Sequence, residues 1–121
     1  MRLICHQIYE LNKGLRDLAL YTADIQELDE TEKKLQGRKI EYEIQMLGDT
    51  KFNVFFGEKQ CVDVIRSFGG KPLNKYTSEQ DFILGIMLGY SRIKQCKRYL
   101  ERIGANNDCG SSAVAKVVLF G

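Results

Sequence analysis

Histidine occurs once in this 121-residue chain, as His6, and proline once, as Pro72. One imidazole cannot supply a multi-histidine zinc site, and a serine–histidine–carboxylate triad would have to be built on His6 with no spacing to support it. The four cysteines, Cys5, Cys61, Cys96 and Cys109, stand singly. With no C-x-x-C pair they exclude a tight disulfide framework and suit a reducing cytoplasm. No apolar run approaches the roughly 18 residues that would span a bilayer, and the opening segment, Met1 to Gly14, lacks the small-residue cleavage site of a secretory signal. An excess of one charge is also missing: 18 basic residues against 16 acidic leave a net charge of only +2. Neutralising many phosphates demands a stronger basic bias, so nucleic acid is disfavoured as a partner.

Nucleotide loops are absent as well. Gly69-Gly70-Lys71 follows a helical pattern and runs into Pro72, whereas a phosphate loop needs a strand before it and a helix starting at its lysine. No dinucleotide fingerprint and no G-x-S-x-G elbow occurs. Cys5 and His6 are neighbours, and on the strand expected there they project to opposite faces, where they cannot share a metal ion. Cys61 and Cys96 sit on apolar helical faces and read as small core hydrophobes, while redox sensing would fall to Cys5 or Cys109. The residues therefore point to no metal site and no cofactor.

What is present is enough to build one core. With 44% apolar residues, no repeat and no linker, positions 1–121 read as a single α+β domain. Mild alternation predicts a strand over 2–9, with Leu3, Cys5 and Tyr9 on one face and Ile4, His6 and Ile8 on the other. Asn12 then caps a helix over 13–22. A second, mostly wet helix follows, with Asp29 and Glu32 at capping-box spacing and Gly37 as its stop. Strict alternation over 40–47 sets Ile40, Tyr42, Ile44 and Met46 against Glu41, Glu43 and Gln45. Gly48-Asp49-Thr50 turns the chain into a strand over 51–57, giving a β-hairpin whose second strand is apolar on both faces. A helix over 58–67 buries Cys61, Val62, Ile65 and Phe68. Thr77 or Ser78 caps a long helical stretch to Arg102, with Ile83, Ile86, Met87 and Tyr90 as one stripe and Ile93, Cys96 and Leu100 as a displaced continuation. That displacement predicts a kink or two helices at Gly89-Tyr90-Ser91. The tail, AVAKVVLF at 113–120, alternates like one more strand.

Two candidate surfaces emerge. His6, Tyr9, Lys13 and Arg16 gather where the first strand would deliver the chain to the first helix, and near a helix N-terminus they could hold a carboxylate, a phosphate or an acidic protein surface. The bland alternative buries His6 and Tyr9 and leaves the cations in water. Gly85-x-x-x-Gly89 permits close helix approach, within the domain or at a subunit interface. Lys94, Lys97, Arg98 and Arg102 cluster opposite the second stripe, as a solvated face or a dock for an acidic partner.

Several segments together resemble a known family. They are His6, Tyr9-Glu10 and Lys13 to Arg16; Asn53 to Gly57, with Cys61 and Val64-Ile65; and Asp81 to Gly85, with Leu88 to Tyr90, Gln95-Cys96 and Arg98 to Leu100. Over residues 3 to 102 the chain resembles the domain-of-unknown-function family number two thousand and twenty-three. The resemblance implies a bacterial protein with no established activity, three strands and five helices, a homodimer, and an association with flavodoxins. With the hairpin, the expected fold is a small antiparallel sheet of about three strands packed by about five helices, a count that leaves no place for the tail strand. The expectation is thus a non-enzymatic homodimeric interaction or regulatory module. Its alternative is a small anionic-ligand binder or enzyme that uses His6 as a proton carrier.

Overall fold

A computed structural model describes residues 2–106. Five helices and three strands follow one another as α1 (Arg2–Asn12), β1 (Leu18–Asp24), α2 (Leu28–Gly37), β2 (Glu41–Leu47), β3 (Lys51–Gly57), α3 (Lys59–Ser67), α4 (Ser78–Met87) and α5 (Arg92–Asn106), with short 3-10 turns before α2 and before α4. The sheet is antiparallel in the order β1-β3-β2. The α+β architecture and the hairpin at 40–57 are as the alternation predicts, with β3 central.

The first 24 residues are not. Residues 2–12 form a helix, because Ile4, Gln7, Ile8 and Leu11 recur at helical spacing and three of the four are buried. The supposed strand face of Leu3, Cys5 and Tyr9 lies exposed. Gly14, at φ +73°, ends α1 through paired bonds from Leu15 N to Glu10 O (2.9 Å) and from Gly14 N to Leu11 O (3.0 Å). The predicted helix over 13–22 is instead a turn and β1. Ala19, Tyr21 and Ala23 enter one core while Leu18 and Leu20 enter the other, so a strand covered on both sides reads as a continuous apolar run without alternation.

Helices cover both faces. On the first, Ile4 and Ile8 of α1 and Leu35 of α2 pack on Ala19, Tyr21, Phe52, Val54 and Phe56. On the second, Val62 and Ile65 of α3, Tyr76, and Leu84 and Leu88 of α4 pack on Leu18 and Phe55. Burying one such side chain contributes about 1.5–3 kcal/mol. α4 starts in a complete capping box between Thr77 and Gln80. It stops at Gly89, φ +83°, after which the Ser91 hydroxyl accepts from Lys94 N (3.3 Å) and caps α5, giving two consecutive helices. The expected α4 stripe is rotated, however: Leu84 and Leu88 are buried, whereas Ile83 and Tyr90 are exposed. Asp29 and Glu32 form no capping box, since α2 starts at Leu28 behind Glu27 without a side-chain cap. The strand expected over 113–120 lies outside the described residues.

Hydrogen bonds at the sheet ends fix which backbone groups are left over. Glu58 N donates to Asp17 O and Ile25 N to Thr50 O, one residue beyond each end of the β1–β3 register. Pairing alternates along an antiparallel ladder, so Leu20 and Thr22 turn their backbone N–H and C=O groups away from β3. The same parity carried through β3 turns those of Tyr42, Ile44 and Met46 away from it on β2. Each outer edge is partly closed by a helix side chain: Gln7 Nε2 donates to Leu20 O (3.0 Å) and Arg66 Nη2 to Tyr42 O (2.9 Å).

Candidate functional site

The structure brings the four predicted residues of the N-terminal patch together, but on different ground. His6 and Tyr9 share the exposed face of α1, and Lys13 follows directly after its last residue. The His6 and Tyr9 rings stack at 6.5 Å, and Lys13 Nζ stands 5.6 Å from the Tyr9 ring centre. Arg16, in the loop beyond, binds Glu10 Oε1 at 3.0 Å, and His6 Nε2 lies 3.7 Å from the same oxygen. Glu10, which the sequence reasoning did not weigh, thus places a carboxylate inside the supposed anion site. The macrodipole also has the opposite sign from the one expected. These residues flank the C-terminal half of α1, where the helix end is negative and favours cations. His6 is an exposed helix residue, neither buried in the core nor lining a strand end.

The last two helices carry a second surface. Gly85 is buried, and a Cβ there would collide with the side chain of Gln95, so its close approach is between α4 and α5. Gly89 has open space around it and serves the left-handed helix end. Across this pair Arg98 grips Asp81 at 2.8 and 3.1 Å, and Arg102 lies 3.3 Å from the same carboxylate. The Tyr99 hydroxyl donates to Glu79 (3.0 Å), and its ring meets that of Phe82 at 5.5 Å. The Arg98 guanidinium holds the Asp81 carboxyl below its ordinary range.

α5 therefore turns a largely polar face, Gln95, Arg98, Tyr99 and Arg102, toward α4. Its apolar stripe, Ile93, Cys96 and Leu100, lies on the opposite side at helical spacing. Ile93 is 72% and Leu100 43% exposed, the reverse of an ordinary surface helix. Arg92, Lys94 and Lys97 are also exposed. The sequence showed the stripe and its displacement; it did not show that the displacement aims it outward.

A third feature lies on the second face of the sheet. Thr22, Asn53 and Gln45 form a polar row across all three strands. The Thr22 hydroxyl donates to Asn53 Oδ1 (2.5 Å), Asn53 Nδ2 to Gln45 Oε1 (3.4 Å), and Gln45 Nε2 to the carbonyls of Lys71 and Gly70. Next to it, between β2 and the turn after α3, opens a cleft of about 180 Å³ lined by Phe55, Ile65, Gly70, Tyr76 and β2 from Glu43 to Met46. Burial raises the Tyr76 hydroxyl above its usual range. Small-molecule sites are commonly about 300–1,000 Å³, so this cleft suits a side chain better than a metabolite. Among the described residues no three histidine, cysteine or acidic side chains converge as a metal site, and no helix is long and apolar enough to cross a membrane.

The described residues form an α+β fold, three antiparallel strands between helical layers. The chain belongs to the family described as protein of unknown function DUF2023, whose sequence profile matches residues 2–102. Comparison with curated proteins finds no match.

Proposed function

We propose that the chain is a non-enzymatic, homodimeric interaction module that docks an acidic protein on the outward side of α5. The inverted helix carries this reading. Burying Ile93, Cys96 and Leu100 in a partner would remove apolar surface from water at about 25 cal/mol per Å². Arg92, Lys94 and Lys97 around them would steer a negatively charged surface into place. Arg98 and Arg102 are already engaged with Asp81 and contribute positioning of the helix.

Joining two copies stripe to stripe is disfavoured by charge. Each α5 has five basic residues, Arg92, Lys94, Lys97, Arg98 and Arg102, against one acid, Glu101. The homodimer implied by the family resemblance therefore falls to another face, and the α1 side, with Leu3, Tyr9 and Leu15 exposed, offers apolar surface for it. A flavodoxin is the acidic partner to which the resemblance points. The anionic-ligand reading at His6, Tyr9, Lys13 and Arg16 is weaker, because Glu10 already engages Arg16 and lies beside His6 and the helix end repels an anion.

The test is a calorimetric titration of the chain with an acidic flavodoxin at low and high salt, beside sedimentation at micromolar concentration. A dimer that binds, weakens with salt and loses binding in Leu100→Glu is the expected result. A monomer would remove the dimer, and binding that is absent or indifferent to salt would remove the docking surface.

A further inference from the structure

We propose that the outer edge of β2 and the cleft beside it form one recognition site, which pairs with an extended, acid-free segment of a partner protein and seats one tyrosine side chain of that segment in the cleft. The site shares no residue with the outward side of α5. Its first part is backbone. β2 turns the N–H and C=O groups of Tyr42, Ile44 and Met46 away from β3. Arg66 takes the Tyr42 carbonyl, and among the described residues no hydrogen bond reaches the outward groups of Ile44 or Met46. Such an edge is a template for another extended chain. Ile44 packs its side chain on the first face yet lines the cleft on the second, so it reaches the cleft through its backbone, and edge and cleft are continuous.

Tyr76 supplies the second, independent observation. It is 6% exposed and lines the cleft. Its hydroxyl, which burial alone pushes above its usual range, makes no hydrogen bond among the described residues. A buried hydroxyl ordinarily has a partner. The residue is also held in place: its ring meets the Phe68 ring edge-on at 5.3 Å, and its carbonyl accepts from Arg102 Nη2 at 3.1 Å. The hydroxyl thus waits, fixed, for a polar group that enters the cleft.

Size, polarity and charge select that group. A cavity of about 150 Å³ holds a benzene ring, and the cleft measures about 180 Å³, room for one aromatic side chain. Phe55 and Ile65 give it buried apolar walls, and the Tyr76 hydroxyl gives it one unused bond. A phenol satisfies both, ring on the apolar walls and hydroxyl on Tyr76. The lining holds one charge, the Glu43 carboxylate already engaged by Arg66 at 3.2 Å, and no cation, which disfavours an acidic side chain or a chain-terminal carboxylate. On an added strand the residues either side of the tyrosine turn to the first face, beside Tyr42, Ile44 and Met46, and apolar side chains suit them. A second copy of β2 fits less well, because the middle of its second face is Glu43 and Gln45.

The probe is the capped peptide acetyl-Lys-Thr-Val-Tyr-Val-Thr-Lys-amide, whose terminal lysines keep it soluble, titrated into the full chain up to about 1 mM and followed by NMR. Binding is expected to slow amide exchange at Ile44 and Met46 at least roughly tenfold, with Val54, in the middle of β3, as the control for global stability. Phenylalanine in place of the peptide's tyrosine, or Tyr76→Phe in the chain, should each weaken binding about fivefold, and the two together no further. Tyr76→Phe keeps the ring, and Val54 exchange checks that the variant is folded. N-methylation of both peptide valines removes the ladder donors and should abolish binding without altering the chain. No protection at Ile44 and Met46 overturns the proposal, as does an affinity indifferent to Tyr76→Phe or to N-methylation. Slow exchange at Ile44 and Met46 before peptide is added, speeding up on dilution, would put a second copy on the edge and overturn it as well.

Discussion

The two faces of one three-stranded sheet are built on different rules. Across the first face run Ala19–Phe56–Tyr42, Tyr21–Val54–Ile44 and Ala23–Phe52–Met46, all apolar or aromatic. Across the second run Leu20–Phe55–Glu43 and then Thr22–Asn53–Gln45. The first face is packed by α1 and α2, and its two tyrosines carry the hydrogen bonds there, Tyr21 donating to Glu27 and Tyr42 to Glu32, both at 2.8 Å. The second couples its core to a hydrogen-bonded row that ends on the loop carbonyls of Gly70 and Lys71, beside the cleft and the α4–α5 pair. The hydrophobic effect is non-directional, whereas a hydrogen-bonded row anchored on the buried Asn53 fixes register and loop position. The lesson is that the apolar side holds the molecule together, and the side with polar structure is where surfaces of defined geometry arise.

Exchanging the rules between neighbouring residues of β3 is the strongest way to break this comparison. Val54 is fully buried on the first face, and Val54→Asn would bury an amide without partners, a loss of about 3 kcal/mol or more. Asn53 is 2% exposed, and Asn53→Val would remove its bonds to the Thr22 hydroxyl and the Gln45 carbonyl, groups that reach water on the exposed Thr22 and half-buried Gln45, a smaller loss of about 1 kcal/mol. Denaturant unfolding measures both. Equal losses would mean that the polar row has no special role.

The hairpin, α3 and the break between α4 and α5 were legible because each had a local signal: strict alternation over 40–47, a stripe at Val62 and Ile65, and the Gly89-Tyr90-Ser91 sequence. The first 24 residues were not, and the cause is tertiary. β1 is buried on both sides, which erases its period of two, while α1 is short and its helical stripe includes Gln7, a polar residue that looks misplaced until its bond to Leu20 O is seen. The candidate site was legible in composition only. His6, Tyr9, Lys13 and Arg16 do approach one another, yet the helix reverses the dipole they feel and adds Glu10. The α5 stripe was visible, but which way it faced depended on Gln95 meeting Gly85.

The clasp that orients α5 gives the next test, at smaller amplitude. Arg98 lowers the Asp81 carboxyl below its ordinary 3.8. A depressed folded-state value means that the stabilisation is present above the unfolded value and is lost as pH falls through the folded one. Asp81→Asn should therefore cost about 1 kcal/mol near neutral pH, discounted for the exposed Arg98. That difference should shrink toward zero as the pH drops below the ordinary carboxylate range. A difference that is flat with pH would assign the effect to packing.

The smallest effect distinguishes the helix ends. α1, α3 and α4 pass into Gly14, Gly69 and Gly89 at φ +73°, +85° and +83°, but α2 uses Lys39 at φ +58°. Sequence had named Gly37 as the stop, yet Gly37 is the last helical residue. The paired terminal bonds, Lys39 N to Gln36 O and Ile40 N to Leu35 O, both 3.0 Å, place the left-handed residue two positions later. A lysine there bears the steric cost of its Cβ against the carbonyl, about 1–2 kcal/mol, and its side chain is exposed. Lys39→Gly removes that cost while adding freedom to the unfolded chain, worth about 0.4–1 kcal/mol in the other direction. The net expectation is a gain of about 0.5 kcal/mol, which at this size raises Tm by roughly 2–4 °C. The mirror change, Gly14→Lys on α1, should lower Tm by a similar amount, because its added Cβ meets open space and only the backbone conformation opposes it. A fall in Tm for Lys39→Gly would show instead that the lysine side chain stabilises the turn into β2.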